Sequence, residues 1–122
     1  TDHPNEKQYL SVATDFGNYL NRTCFTSIRE NEFHYALFAP GAVFKKHIDC
    51  FKNDPSRRIS MVTYLNPEWN EQNGGALKLY LEEEEITIFP EWGTTVIFRS
   101  DDLEHEVLPA NQKRYSITGW LK

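Results

Sequence analysis

Near the N-terminus apolar side chains recur at Tyr9 and Leu10, Val12 and Ala13, Phe16, and Tyr19 and Leu20. Steps of three and four bring these positions onto one face of a helix. Pro4 suits a first turn, where its missing N–H costs nothing, and Asn21 suits an end. The pattern predicts a helix over 4–22. Beyond it the period shortens. Strands are predicted at 33–38, 43–50, 58–65, 76–81, 86–89, 94–98, 106–108 and 114–121. Turn residues separate them: Pro40-Gly41, then Asn53-Asp54-Pro55-Ser56, then Pro90-Glu91-Trp92-Gly93. Residues 66–75 form a polar loop ending in Gly-Gly, and the four acids at 82–85 suit a solvated hairpin tip. Many short strands with such punctuation mean an all-β sandwich or barrel behind a helical lead-in.

The last strand is the most informative of these. Side chains alternate across a strand, so Arg114, Ser116, Thr118 and Trp120 share one face and Tyr115, Ile117, Gly119 and Leu121 the other. The first face offers one cation, two hydroxyls and one aromatic ring, which suits a pocket wall. On the 58–65 strand Tyr64 and Val62 share a face in the same way, and a buried phenol there can donate a hydrogen bond.

Composition narrows the picture. A chain of 122 residues is one domain, with a helical lead-in over 4–22 and a β core over 33–122. It is 39% hydrophobic and 14% aromatic, enough to build a core. A net charge of −5 argues against a general nucleic-acid binder. No apolar run has the length of a membrane span. No N-terminal stretch reads as a signal peptide, and because the chain opens on Thr1, residues upstream are expected. Cys24 and Cys50 are too few for a disulfide framework and are expected as free thiols in a reducing, cytoplasmic compartment. Composition leaves the oligomeric state open.

Four histidines are present. His3 falls in a terminus and is assigned no role, and His34, inside an aromatic strand, is expected to be structural. His47 and His105 have different company. His47-Ile48-Asp49 is followed by His105 and, nine residues later, by Arg114. Two histidines and one carboxylate are the ligand set of a non-haem Fe(II) site with open positions for substrate and O₂. In a strand, residues i and i+2 point to the same face, so His47 and Asp49 are expected to bind one metal from one strand. Arg114 then supplies a cation that grips an acidic co-substrate through paired hydrogen bonds.

The order HxD, H, R resembles the Fe(II)/2-oxoglutarate-dependent oxygenases. A longer string extends the likeness: Tyr64-Leu65-Asn66, Trp69, Gly74-Gly75-x-Leu77, His105-Glu106-Val107-x-Pro109-Ala110 and Arg114-Tyr115-x-Ile117-Thr118-x-Trp120. Over residues 33–122 it is similar to the prolyl 4-hydroxylase branch, in particular the oxygen-sensing prolyl hydroxylases and their bacterial relatives. The resemblance implies a mainly β fold, a double-stranded β-helix of the jelly-roll or cupin-like kind, with the N-terminal helix packed outside. It implies Fe(II) on His47, Asp49 and His105, and 2-oxoglutarate with its distal carboxylate on Arg114 and Tyr64. It places Val62, Leu77, Val107, Thr118 and Trp120 around that co-substrate, and it implies O₂ as reactant and ascorbate as a candidate reductant. The charges agree: the iron site carries one positive charge, the dianion turns it negative, and Arg114 restores neutrality, far cheaper to bury than a net charge. One departure is visible at Phe38, before the Pro-Gly turn, where many relatives carry tyrosine.

The activity implied is hydroxylation of a substrate C–H, a prolyl residue of a protein or peptide, with release of succinate and CO₂. A related oxygenase acting on a free amino acid or other small molecule is the first alternative; a non-catalytic jelly-roll metal-binding module is the second, and Arg114 speaks against it. Alkylation-repair dioxygenases show a second arginine six residues beyond the first, where this chain has Trp120, and halogenases of this class lack the carboxylate that Asp49 provides. Substrate selection belongs to loops, here residues 50–57 and 67–74. Arg57, Arg58 and Trp69 border these loops and are the candidate peptide contacts.

Overall fold

The N-terminal periodicity resolves into helix α1, Pro4–Cys24, two residues longer than predicted. Asn21 does not end it. Its side chain instead ties the helix to the segment that follows, donating to the Ile28 carbonyl and accepting the Ile28 N–H. The helix stops where Phe25 takes a left-handed conformation, φ 56°. His3, assigned no role from sequence, is its N-cap, with Nδ1 accepting the Asn5 N–H.

The computed structural model describes residues 1–49 and 55–122; Cys50, Asn53 and Asp54, which carried sequence expectations, lie outside the described residues. Eight strands follow α1 among the described residues: β1 Asn31–Phe38, β2 Phe44–His47, β3 Ile59–Tyr64, β4 Leu77–Tyr80, β5 Glu85–Ile88, β6 Thr95–Arg99, β7 Glu104–Val107 and β8 Arg114–Leu121. They form two four-stranded antiparallel sheets, ordered β1-β8-β3-β6 and β2-β7-β4-β5. Apart from the β4–β5 hairpin, chain neighbours alternate between the sheets, which gives the double-stranded β-helix of a jelly roll. Helix α1 packs on the outer face of the first sheet. There Tyr9 meets the Phe33 ring edge-on at 5.4 Å and shares a 2.8 Å hydrogen bond with Thr63.

The core lies between the sheets. Tyr64 of β3, Leu77 and Leu79 of β4, Val96 and Phe98 of β6, and Val107 of β7 are buried together. Each such side chain stabilises the fold by roughly 1.5–3 kcal/mol. Gly119 lets β1 approach β8 closely. A Cβ there would lie 2.1 Å from the Glu32 carbonyl oxygen and 2.4 Å from the Phe33 ring.

Two expectations need correction. Strand β2 ends at His47, with a register irregularity after Phe44, so Asp49 sits in a bend and not in a strand with His47. Strand β7 begins at Glu104, two residues early, which brings His105 into the sheet opposite His47 and Leu79. The 66–75 segment is the loop expected, folded into a corner in which Asn66, Trp69 and Gly75 are buried and residues 67, 68 and 70–72 are exposed. Asn66 is buried, donating to the Pro90 and Tyr115 carbonyls and accepting the Tyr115 N–H. A single 3-10 turn at Glu71–Asn73 leads into Gly74, whose bridge to Ala110 completes the corner. The acidic run behaves as expected, with Glu82 and Glu83 at the exposed tip between β4 and β5.

Candidate active site

Alternation along β8 places Arg114, Ser116, Thr118 and Trp120 on its inner face, and β3 adds Val62 and Tyr64 beside them. The second sheet closes the space with Leu77 and Val107, and β1 with Phe38. These side chains line a cavity of about 220 Å³ that also holds His47, Asp49 and His105. All the pocket positions expected from sequence therefore meet in one place. A larger groove of about 620 Å³, bordered by Tyr35 and Trp92 at the start of α1, holds no member of the triad.

The triad is assembled from two strand ends and a bend. His47 closes β2, His105 pairs with it from β7, and the bend returns Asp49 between them. Asp49 Oδ1 lies 3.1 Å from both His47 Nε2 and His105 Nε2. One ligand atom from each residue falls within 4.8 Å of the others. The second nitrogens fix the tautomers. His47 Nδ1 is 2.7 Å from the Lys45 carbonyl and His105 Nδ1 is 3.1 Å from the Leu103 carbonyl. A carbonyl only accepts, so each Nδ1 carries the proton and each Nε2 lone pair faces the cluster. The rings are packed by Phe44, 4.2 Å from His47, and Phe98, 4.7 Å from His105.

Asp49 is held as an anion. Burial opposes its charge, but in the metal-free site a proton on His105 Nε2, with its charge, and the Ser60 and Trp120 donors outweigh that and hold the carboxyl at about 2; a bound metal would take that proton's place. Two neutral imidazoles and one carboxylate, held at this spacing by their outer hydrogen bonds, fit a divalent iron with open positions.

Arg114 is 4% exposed, and among the described residues it pairs with no carboxylate. Its guanidinium rests on the Phe38 ring at 4.7 Å and the Tyr64 ring at 5.2 Å, with a long 3.5 Å contact to the Tyr64 hydroxyl. The Arg114 Nε is buried with no partner. A buried cation with an unsatisfied donor fits an incoming carboxylate. Burial pushes the Tyr64 phenol up, with Arg114 opposing, so it remains a donor. Along β8, Arg114 stands six residues from Trp120, about 20 Å of strand, and the Trp120 indole touches Asp49. Cation and triad thus address one cavity from its two ends.

The substrate-contact expectations divide. Arg57 borders the cavity, with its guanidinium 3.6 Å above Trp120 and Nη1 donating to the Asp49 carbonyl. Arg58 lines a separate groove with Phe25 and Arg99. Trp69 is 8% exposed, its indole bonded to the Gly74 carbonyl, so it is corner packing and not a surface for a peptide. His34 corrects the opposite way: it is exposed at the cavity mouth, tilted against Trp120 at 5.9 Å. Sequence reasoning missed Ser60 and Ser100. Ser60 was within reach, being two residues before Val62 on the same strand face; Ser100 carried no signal.

The 2OG-Fe(II) oxygenase superfamily model matches residues 33–122. Egl nine homolog 1 of Homo sapiens is 33% identical over 84 residues, 66% of this chain and 20% of that protein. A crystal structure of a Pseudomonas putida prolyl-4-hydroxylase superposes with TM-score 0.96 at 36% identity, covering 99% of this chain and 68% of that one. A prolyl hydroxylase from Trichoplax adhaerens, in complex with a hypoxia inducible factor oxygen degradation domain peptide, gives 0.72 at 36% identity, covering 77% and 44%. The chain spans 14% to 25% of the length of the first curated relatives it matches. No helix among the described residues is long and apolar enough to cross a membrane. The motif order, the convergence of the triad and Arg114 on one cavity, and the family match have one meaning: the chain belongs to the 2OG-Fe(II) oxygenase superfamily.

Proposed function

We propose that this chain is the catalytic domain of a 2-oxoglutarate-dependent dioxygenase that hydroxylates a prolyl residue of a protein or peptide. The observation that carries the proposal is Arg114, a buried guanidinium with no carboxylate partner among the described residues, facing the cavity that holds the triad. His47, Asp49 and His105 would hold Fe(II), each through the one atom turned inward. Iron with 2-oxoglutarate and O₂ supplies oxidation of a substrate C–H to an alcohol, with succinate and CO₂ as the other products.

The residues supply the rest. Arg114 and Tyr64 bind the distal carboxylate of 2-oxoglutarate, one by charge and one by a neutral donor. Val62, Leu77 and Val107 keep water from its aliphatic part, and Thr118 and Trp120 border it on the β8 side. The orientation of the co-substrate is therefore set before any prime substrate arrives. Arg57, fixed on Trp120 at the rim, is the residue placed to meet a peptide. The structural neighbour with a bound peptide supports a peptide substrate. Ascorbate as reductant and a cytoplasmic location belong to the same proposal.

The test is direct. The protein is supplied with Fe(II), 2-oxoglutarate, ascorbate and O₂, first alone and then with a peptide digest of cell lysate. Succinate formation in both reactions, with peptides gaining one oxygen atom at proline in the second, is the expected result. Hydroxylation of free proline with no peptide modified would overturn the peptide substrate, and absence of succinate would overturn the enzyme.

A further inference from the structure

The two oxygens of Asp49 have different surroundings. Oδ1 faces the two histidine Nε2 atoms. Oδ2 is turned away and accepts two hydrogen bonds, from Ser60 Oγ at 2.6 Å and from Trp120 Nε1 at 3.2 Å. Ser60 and Trp120 are register partners in the β3–β8 pair, so both donors rise from one spot on the first sheet. The carboxylate, by contrast, arrives on a bend beyond β2 of the second sheet. Among the described residues, these two donors are the groups hydrogen-bonded to Oδ2, and they oppose its turning about the Cβ–Cγ bond.

Behind Ser60 lies Ser100, just past β6, with the two Oγ atoms 2.8 Å apart. Ser60 is 1% exposed and Ser100 is fully buried. A hydroxyl carries one proton, and an ionised carboxylate only accepts. Ser60 therefore commits its proton to Asp49, and the Ser60–Ser100 bond must be donated by Ser100. The chain of bonds has one direction, from Ser100 to Ser60 to Asp49, and each donation makes the next donor more polar.

We infer that Ser100 and Ser60 are positioning residues that, with Trp120, hold the Asp49 carboxylate to one-oxygen ligation. With Oδ2 occupied by two donors, only Oδ1 is free for the metal. The protein then fills three coordination positions and leaves the rest to co-substrate and O₂. A released carboxylate could close on the metal with both oxygens and take one of those positions. This inference rests on the proposed metal ligands.

The probe is Co(II), which reports its coordination in the visible spectrum, titrated into metal-free protein. Ser60→Ala is expected to weaken Co(II) binding about tenfold, the lower end for loss of an outer-shell partner. It should also lower the intensity of the visible bands as the carboxylate becomes two-oxygen. Ser100→Ala should shift both in the same direction by less, because Ser60 keeps its own proton. Because the two act in series, Ser60→Ala/Ser100→Ala should match Ser60→Ala. Additive effects would overturn the relay. So would variants that only melt earlier without metal while binding Co(II) with unchanged affinity and spectrum. Asp49→Ala separates the two claims: if it binds Co(II) as the wild type does, the ligand assignment has failed; if it loses Co(II) while Ser60→Ala and Ser100→Ala change nothing, the relay alone has failed.

Discussion

Arg114 and Phe38 are register partners across the β1–β8 pair, and the guanidinium lies 4.7 Å from the centre of the Phe38 ring. A tyrosine at Phe38 would bring a hydroxyl; the phenylalanine brings only a π face. Together with the Tyr64 ring it holds the cation without neutralising it. Arg114 is thereby positioned while its charge remains available to a ligand.

Arg114→Ala should raise the 2-oxoglutarate requirement by roughly 10–100-fold, since a charge-assisted bond of about 1.5–3 kcal/mol is lost. Metal affinity should be unchanged. Tyr64→Phe removes a neutral donor and should cost less, about 0.5–1.5 kcal/mol. Succinate formation at varied 2-oxoglutarate, with calorimetric metal titration alongside, measures both. A larger loss in Tyr64→Phe than in Arg114→Ala would refute this arrangement of the pocket.

Gly75 acts on the same group from behind. Its φ is +74°, and a Cβ there would sit 3.0 Å from both Trp69 and Ala110 and 3.3 Å from Arg114 Cδ. Gly75→Ala should displace the arginine stem by a fraction of an ångström. The 2-oxoglutarate requirement should rise by up to about tenfold, given that 1 Å of misplacement can cost about 100-fold. Iron binding should hold, because the triad is not touched. An unaltered 2-oxoglutarate dependence in a folded Gly75→Ala protein would show that the corner does not set the arginine.

His47→Ala and Asp49→Ala should each abolish measurable Fe(II) binding and turnover, since three protein ligands already leave the site open. Both positions lie at the end of β2 or beyond it, outside the buried apolar cluster. Circular dichroism of the metal-free variants should therefore match the parent. Retained iron affinity in both variants would remove the triad.

Gly119→Ala tests the architecture and not the chemistry. With Glu32 and Phe33 closer than van der Waals contact to the added carbon, β1 must move off β8. A cost of about 3 kcal/mol is expected, lowering Tm by roughly 10 °C. A melting curve that overlays the parent would mean that β1 is free to shift at no cost.

Much of this protein is legible along the chain because the relevant interactions are local or periodic. The β8 prediction, 114–121, coincides with the observed strand, since strict alternation there reflects one packed face and one outer face. The same rule identified Val62 and Tyr64, and residue chemistry with spacing identified His47, Asp49, His105 and Arg114. Strand alternation does not explain the HxD spacing, because β2 has already ended before Asp49. The motif works through a bend that the second sheet and the Ser60 and Trp120 donors hold in place.

Trp69, His34 and Ser100 show what only the tertiary structure decides. A tryptophan in a polar segment reads as surface, yet Trp69 is buried because the Gly74–Ala110 bridge folds the corner around it. A histidine among aromatics reads as core, yet His34 lies on an edge strand whose inner face opens at the cavity mouth. Ser100 meets Ser60 across 40 residues of chain, through pairing of β3 with β6. The amino-acid sequence by itself determined which residues meet around the cavity and, on β3 and β8, which strand faces they occupy, because period and residue type are local properties. Which oxygen of Asp49 is free, and which side chains line the mouth, depended on contacts between strands distant in sequence, and no local pattern encodes those.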